Sequence, residues 1–182
     1  MPNYHRAWSP GGTYFFTLVT HQRRPIFTEE MARQTLHQAI MVGMQRVGDF
    51  QVDAFCLLPD HLHCIWTLPE NDSDYATRWK VIKAWFSRTY RKQGGKSAAI
   101  NASMAQKGEL GIWQRRYWEH FIRDLDDLKR HIDYIHYNPV KHGLVQSVAD
   151  WPWSTFHRFV KDGFYPADRG RGDASSFAVM EE

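Results

Sequence analysis

The chain has 182 residues, 43% of them hydrophobic, 15% aromatic and 24% charged, with a formal net charge of +3. That length and apolar content suit one self-folding domain and exclude wholesale disorder, while so small a net charge names no polyanionic partner by itself. Two cysteines, Cys56 and Cys64, exclude a disulfide framework, and without an apolar h-region or a run of about 18 apolar residues the expected home is a reducing cytoplasm.

Thr13 to Thr20, TYFFTLVT, follows the turn residues Pro10-Gly11-Gly12 and is β-branched and aromatic. It predicts a buried strand that ends at Arg23, Arg24 and Pro25. From Glu29 to about Val47 the apolar positions Met31, Leu36, Ala39, Ile40 and Val47 recur near helical spacing, with Thr28 as the N-cap. Val52 to Leu58 and Leu62 to Leu68 form a predicted hairpin around Pro59-Asp60. Ser73 or Asp74 caps a second helix. Trp79, Ile82, Phe86 and Thr89 share one of its sides, and Lys80, Lys83, Ser87 and Arg91 form another stripe.

Gly94-Gly95 opens a small, polar stretch that reads as a loop through Gly108, with at most one helical turn. Ile112 to Ile122 is either a strand or an irregular aromatic segment packed on the sheet. Asp124 then caps a third helix, with Leu125, Leu128, Ile132 and Ile135 on its apolar side and Pro139 as its stop. Residues 1–165 are expected to form one domain and 166–182 a loose tail. This order of elements predicts an α+β, ferredoxin-like antiparallel sheet with helices packed on it.

Charge is distributed unevenly. Between Asp74 and Glu109 there is no acidic residue, yet the interval holds Arg78, Lys80, Lys83, Arg88, Arg91, Lys92, Lys96 and Lys107, interleaved with Trp79, Trp85, Phe86 and Tyr90. Such a stretch offers phosphate contacts beside base-stacking faces, as nucleic-acid proteins need; the alternative is a solvated helix face.

His61-Leu62-His63 lies on the second arm of the hairpin, and strand side chains two apart share a face, so both imidazoles can reach one metal ion. A two-residue turn would place Cys56 across from His63, which permits a His-His-Cys zinc site, while Cys64 points to the other face as a small core residue. In the third helix, Tyr134 and Asn138 are four residues apart and lie on one face, so a phenol and an amide oxygen can meet one site. Otherwise they are a tyrosine at the core rim and an asparagine ending a helix. Tyr137 is assigned to packing or DNA contact, His136 and His142 stand outside the catalytic set, and Trp151 and Trp153 are structural.

PDHLHCIW, followed by YIHYNPVKHGLV, resembles the HUH transposases that use a single tyrosine. The resemblance is strongest to the REP-associated tyrosine transposases, whose sequences carry patterns similar to GGTYFFT (Gly11 to Thr17), WQRRYWEH (Trp113 to His120) and DWPWSTFHRF (Asp150 to Phe159). It runs from about Tyr4 to Tyr165. It implies the HUH nuclease fold and a single-stranded DNA endonuclease and strand transferase working through a 5′-phosphotyrosine intermediate. Tyr134 would be the nucleophile, and His61, His63 and Asn138 would hold a divalent metal, Mg²⁺ or Mn²⁺. Related enzymes often have glutamine where Asn138 stands, and the shorter asparagine requires the helix to sit nearer the metal.

The implied substrate is a repetitive extragenic palindrome folded as a hairpin with a single-stranded foot, met at the nucleoid by a monomer. Arg6, Arg23 and Arg24, with Lys80, Lys83 and Arg91, are expected to grip its phosphates. Tyrosine suits the chemistry because a phenol of pKa about 10 leaves far more readily than an alkoxide when a strand is rejoined. Two rival classes are a non-catalytic single-stranded nucleic-acid-binding module and a zinc-dependent hydrolase built on His61, His63 and Cys56.

Overall fold

The computed structural model describes residues 9–166 and 168–169. Arg6 and nearly all of the expected tail lie outside the described residues. The elements are β1 (Thr13–Val19), α1 (Glu30–Val47), β2 (Gln51–Leu57), β3 (His61–Thr67), α2 (Tyr75–Lys92), α3 (Ala102–Gln106), β4 (Trp118–Phe121), α4 (Leu125–Lys141) and α5 (Phe156–Lys161). The four strands form one antiparallel sheet in the order β2-β3-β1-β4, which is the ferredoxin-like arrangement expected.

Period-two alternation divides the core. Tyr14, Phe16, Leu18, Leu62, Cys64 and Trp66 face α1 and α2, whereas Phe15, Cys56 and Ile65 face α4. With helices on both faces, β3 is buried at His61 through Trp66 and reads as a continuous run instead of an alternating one. Gly43 belongs to this packing, because a Cβ there would lie 2.6 Å from Ile82 Cγ1 where α1 meets α2. Among the described residues no helix is long and apolar enough to cross a membrane.

The caps at Asp74 and Asp124 form as expected, their carboxylates accepting from the amides of Thr77 and Asp127. Thr28 does not cap α1. Its hydroxyl donates to the Pro25 carbonyl at 2.7 Å and closes a short turn over Ile26–Thr28, leaving Glu29 at the cap position without a side-chain bond. Only Trp118–Phe121 of the aromatic segment is a strand.

Pro139 does not stop α4, which continues to Lys141. A proline forfeits one backbone bond, and here the loss falls in the final turn, where the amides of His142 and Leu144 still reach the carbonyls of Asn138 and Pro139. Leu125, assigned to the apolar side of that helix, is exposed in its first turn. The base-stacking faces proposed for α2 are also corrected: Trp79, Phe86 and Tyr90 are core residues, with Trp79 stacked on Trp66 at 3.9 Å.

Candidate active site

β3 turns His61 and His63 toward α4, their rings 4.9 Å apart. His63 Nδ1 lies 2.8 Å from Thr17 Oγ1, its cross-strand partner, and His61 Nδ1 lies 2.5 Å from Asp60 Oδ1. With each Nδ1–H donating to these oxygens, the lone pair of each ring falls on Nε2. Histidines that hold metals are oriented in this way. Burial, above all, pushes the His63 imidazole well below its usual pKa, so it is neutral, as a metal ligand must be.

α4 brings the remaining groups. Asn138 is fully buried beside His63, yet neither its Oδ1 and Nδ2 nor the buried His63 Nε2 makes a well-formed hydrogen bond. Unsatisfied buried polar atoms cost roughly 1–3 kcal/mol each, so their concentration here fits a site that takes a cation. Tyr134, 6% exposed, sets its ring edge-on to His63 at 5.2 Å. Lys141 Nζ stands 5.0 Å from the Tyr134 ring centre, and the His142 ring lies 5.1 Å from His61. His142, which sequence reasoning set aside, therefore borders the site. Asp60 joins it to the surface: burial raises its pKa, but the hydrogen bonds and charges of His61 and Arg23 outweigh that and hold its carboxyl below the usual range. Arg23 Nη1 is 3.2 Å away.

Cys56 does pair across from His63. It is a fully buried member of the α4-face core with Ala54, Leu58 and Ile65, and burial raises its thiol pKa against hydrogen bonds with Ser154 and Trp151. Tyr137 packs with Val148, Phe156 and Tyr165, a cluster separate from the one that holds Tyr134. His136 is buried between Thr155 Oγ1 and Tyr165 Oη, and burial lowers its pKa to about 3. Trp151 is structural, its Nε1 donating to the Leu57 carbonyl, whereas Trp153 lies partly exposed under Arg33.

The basic residues separate. Arg23 is exposed near the histidines and Arg24 donates to the Lys96 carbonyl, whereas Lys80 and Arg91 are exposed in the α2 layer across the sheet. Lys83 is not the outward cation expected. Its Nζ donates to the carbonyls of Gln114 and Arg115 at 2.7 and 3.2 Å, and burial lowers its pKa to about 8. Sequence reasoning also missed a network at the start of α4. Asp127 accepts from His120 at 2.9 Å and from Arg123, with Arg130 at 3.4 Å and His131 at 3.3 Å, and its only sequence signal was the four-residue spacing of Asp127 and His131.

Residues 10–138 match the family model described as Transposase IS200 like. The REP-associated tyrosine transposase of Escherichia coli strain K12 is 41% identical over 181 residues, covering 100% of this chain and 98% of that protein. A relative from Haemophilus influenzae is 44% identical over 93% of this chain and 94% of its own. A solved structure of a REP-associated tyrosine transposase bound to a REP hairpin superposes with a TM-score of 0.76 at 40% identity, covering 100% of this chain and 98% of that one. These matches span the strands, the histidine pair and α4 together, and the chain belongs to the IS200-like transposases, within their REP-associated tyrosine branch.

Proposed function

We propose that the chain cleaves and rejoins single-stranded DNA at the foot of a hairpin-forming repetitive extragenic palindrome, with Tyr134 as nucleophile. The observation that carries this reading is the meeting of His63 with the Asn138 amide, neither of them in a well-formed hydrogen bond, and with the Tyr134 ring 5.2 Å from His63. The REP hairpin bound to the similar solved structure supports the substrate class.

His61, His63 and Asn138 would hold a divalent cation, Mg²⁺ or Mn²⁺, which neutralises phosphate charge and orients the phosphorus. Thr17 and Asp60 keep both imidazoles aimed at that position. The Tyr134 oxygen attacks the phosphorus and loses its proton as the P–O bond to the 3′ oxygen breaks; that oxygen takes a proton. A 5′-phosphotyrosine results. Rejoining reverses the exchange, with a 3′ hydroxyl attacking and the phenol leaving, so the phosphoester bond is conserved and no ATP is needed.

The test is nicking of a labelled hairpin oligonucleotide that carries a single-stranded foot. Tyr134→Phe should bind it and not cut, while Tyr137→Phe cuts. Full-rate nicking by Tyr134→Phe, or loss confined to Tyr137→Phe, overturns the assignment.

A further inference from the structure

A row of paired residues crosses the sheet on its α4 face: Cys56, His63, Thr17 and Trp118. Adjacent strands lie about 4.8 Å apart, so Trp118 stands about 10 Å from the candidate metal ligand His63. It sits on β4, an edge strand of the sheet among the described residues, and is 60% exposed. Between Trp118 and Tyr134 lies a cavity of about 480 Å³, floored by Phe15 and bordered by Arg23, Arg123, Arg130 and the His120–Asp127–His131 network. That volume suits a small ligand.

The network itself does not suit a metal. Although one ligand atom from each of the three residues lies within 4.8 Å of the others, the two imidazoles are stacked at 4.6 Å with planes only 16° apart. Their in-plane lone pairs run side by side and do not converge. Asp127 is also occupied already, by His120, by the Arg123 amide and guanidinium, and by Arg130 and His131. It braces the cavity wall.

Facing the cavity are a flat aromatic surface and the guanidinium groups of Arg23, Arg123 and Arg130, each ion-paired on one side, with Asp60 or Asp127, and otherwise open to solvent. That combination complements a phosphate joined to a base: guanidinium groups pair with phosphate oxygens, and any base offers a face for stacking. We propose that this cavity holds the unpaired nucleotide adjoining the bond that Tyr134 breaks, with its base stacked on Trp118 and its phosphate against Arg123 and Arg130. The assignment rests on Tyr134 as the nucleophile and adds the residue that seats the neighbouring nucleotide. Stacking tolerates any base, so the site fixes the position of the strand and leaves sequence choice to other contacts.

The test combines Trp118→Ala with abasic substitution along the single-stranded foot, measured as binding of the labelled hairpin oligonucleotide in the Tyr134→Phe background. An abasic nucleotide beside the cleaved bond should weaken binding about 5- to 150-fold when Trp118 is present, and less than about twofold in Trp118→Ala. Trp118→Phe should restore the penalty. Thermal melting checks the fold, which an exposed edge residue should leave intact. Penalties that simply add, or no abasic penalty beside the cleaved bond, overturn the proposal. If wild-type protein leaves the hairpin uncut while the two penalties still overlap, the nucleotide site stands and the nuclease reading falls. If it cuts while the penalties add, the reverse holds.

Discussion

At the scale of single residues, the site depends on atoms that orient other atoms. Thr17 holds the Nδ1 edge of His63 and so presents Nε2 to α4. Thr17→Val removes that hydroxyl with little change in shape, and removing a hydrogen-bond partner of a metal ligand typically costs about 10- to 100-fold. The expected outcome is nicking that saturates at higher Mg²⁺ or Mn²⁺ with hairpin affinity unchanged, and an unaltered metal titration would contradict it. In the same titration Asn138→Ala should be partly rescued by added metal, because water can replace a neutral amide oxygen, while His61→Ala and His63→Ala are not rescued. Cys56→Ser should cut nearly normally; a loss as deep as that of His63→Ala would favour the zinc-hydrolase alternative. The sequence displayed the histidine pair through the two-residue period of a strand, and Tyr134 with Asn138 through the four-residue period of a helix. Thr17 and Trp118 were hidden and His142 was set aside, because their places depend on register between strands and on where α4 ends.

Elements show what local pattern misses. A proline normally marks a helix end, and in α4 it falls inside the last turn, which keeps Lys141 helical and beside Tyr134. The α2 stripe was legible as a line of cations, but tertiary packing sorted it. Arg78 is buried, donating to Asp72 and to the carbonyls of Gly48, Asp49 and Asp74, and Lys83 is tied to the segment after Trp113. Lys80→Ala and Arg91→Ala are therefore expected to flatten the salt dependence of hairpin binding, by about 0.7–0.9 of a log–log unit for each phosphate that the variant no longer neutralises. Lys83→Ala should leave that slope unchanged and lower the melting temperature instead. Binding isotherms across a salt series, beside thermal melts, distinguish the two effects. A slope change in Lys83→Ala equal to that in Lys80→Ala would mean that its internal hydrogen bonds yield to DNA.

For the whole molecule, the alternation of apolar residues and the order of elements were enough to predict the ferredoxin-like sheet, whereas the packing of 148–166 against α4 was not. That packing buries His136, whose pKa falls to about 3, and His63 is likewise held neutral. Both have folded-state values below the unfolded value of about 6.5, so on acidification the unfolded chain takes up protons first. Their contribution to stability is complete above about pH 6.5 and declines below it, for His136 down to about pH 3. The melting temperature should fall accordingly from neutral toward acid pH, with a shallower slope in His136→Gln; an identical slope would show that His136 is not the titrating group. The fold thus places one tyrosine against one histidine pair within a single chain, and the covalent intermediate tests that arrangement most directly. Wild-type protein incubated with the hairpin oligonucleotide and Mn²⁺, then digested and examined by mass spectrometry, should yield a nucleotide-linked peptide with the modification on Tyr134. A modification on Tyr137, or cut DNA bearing a free 5′ phosphate with no protein attached, would contradict the account.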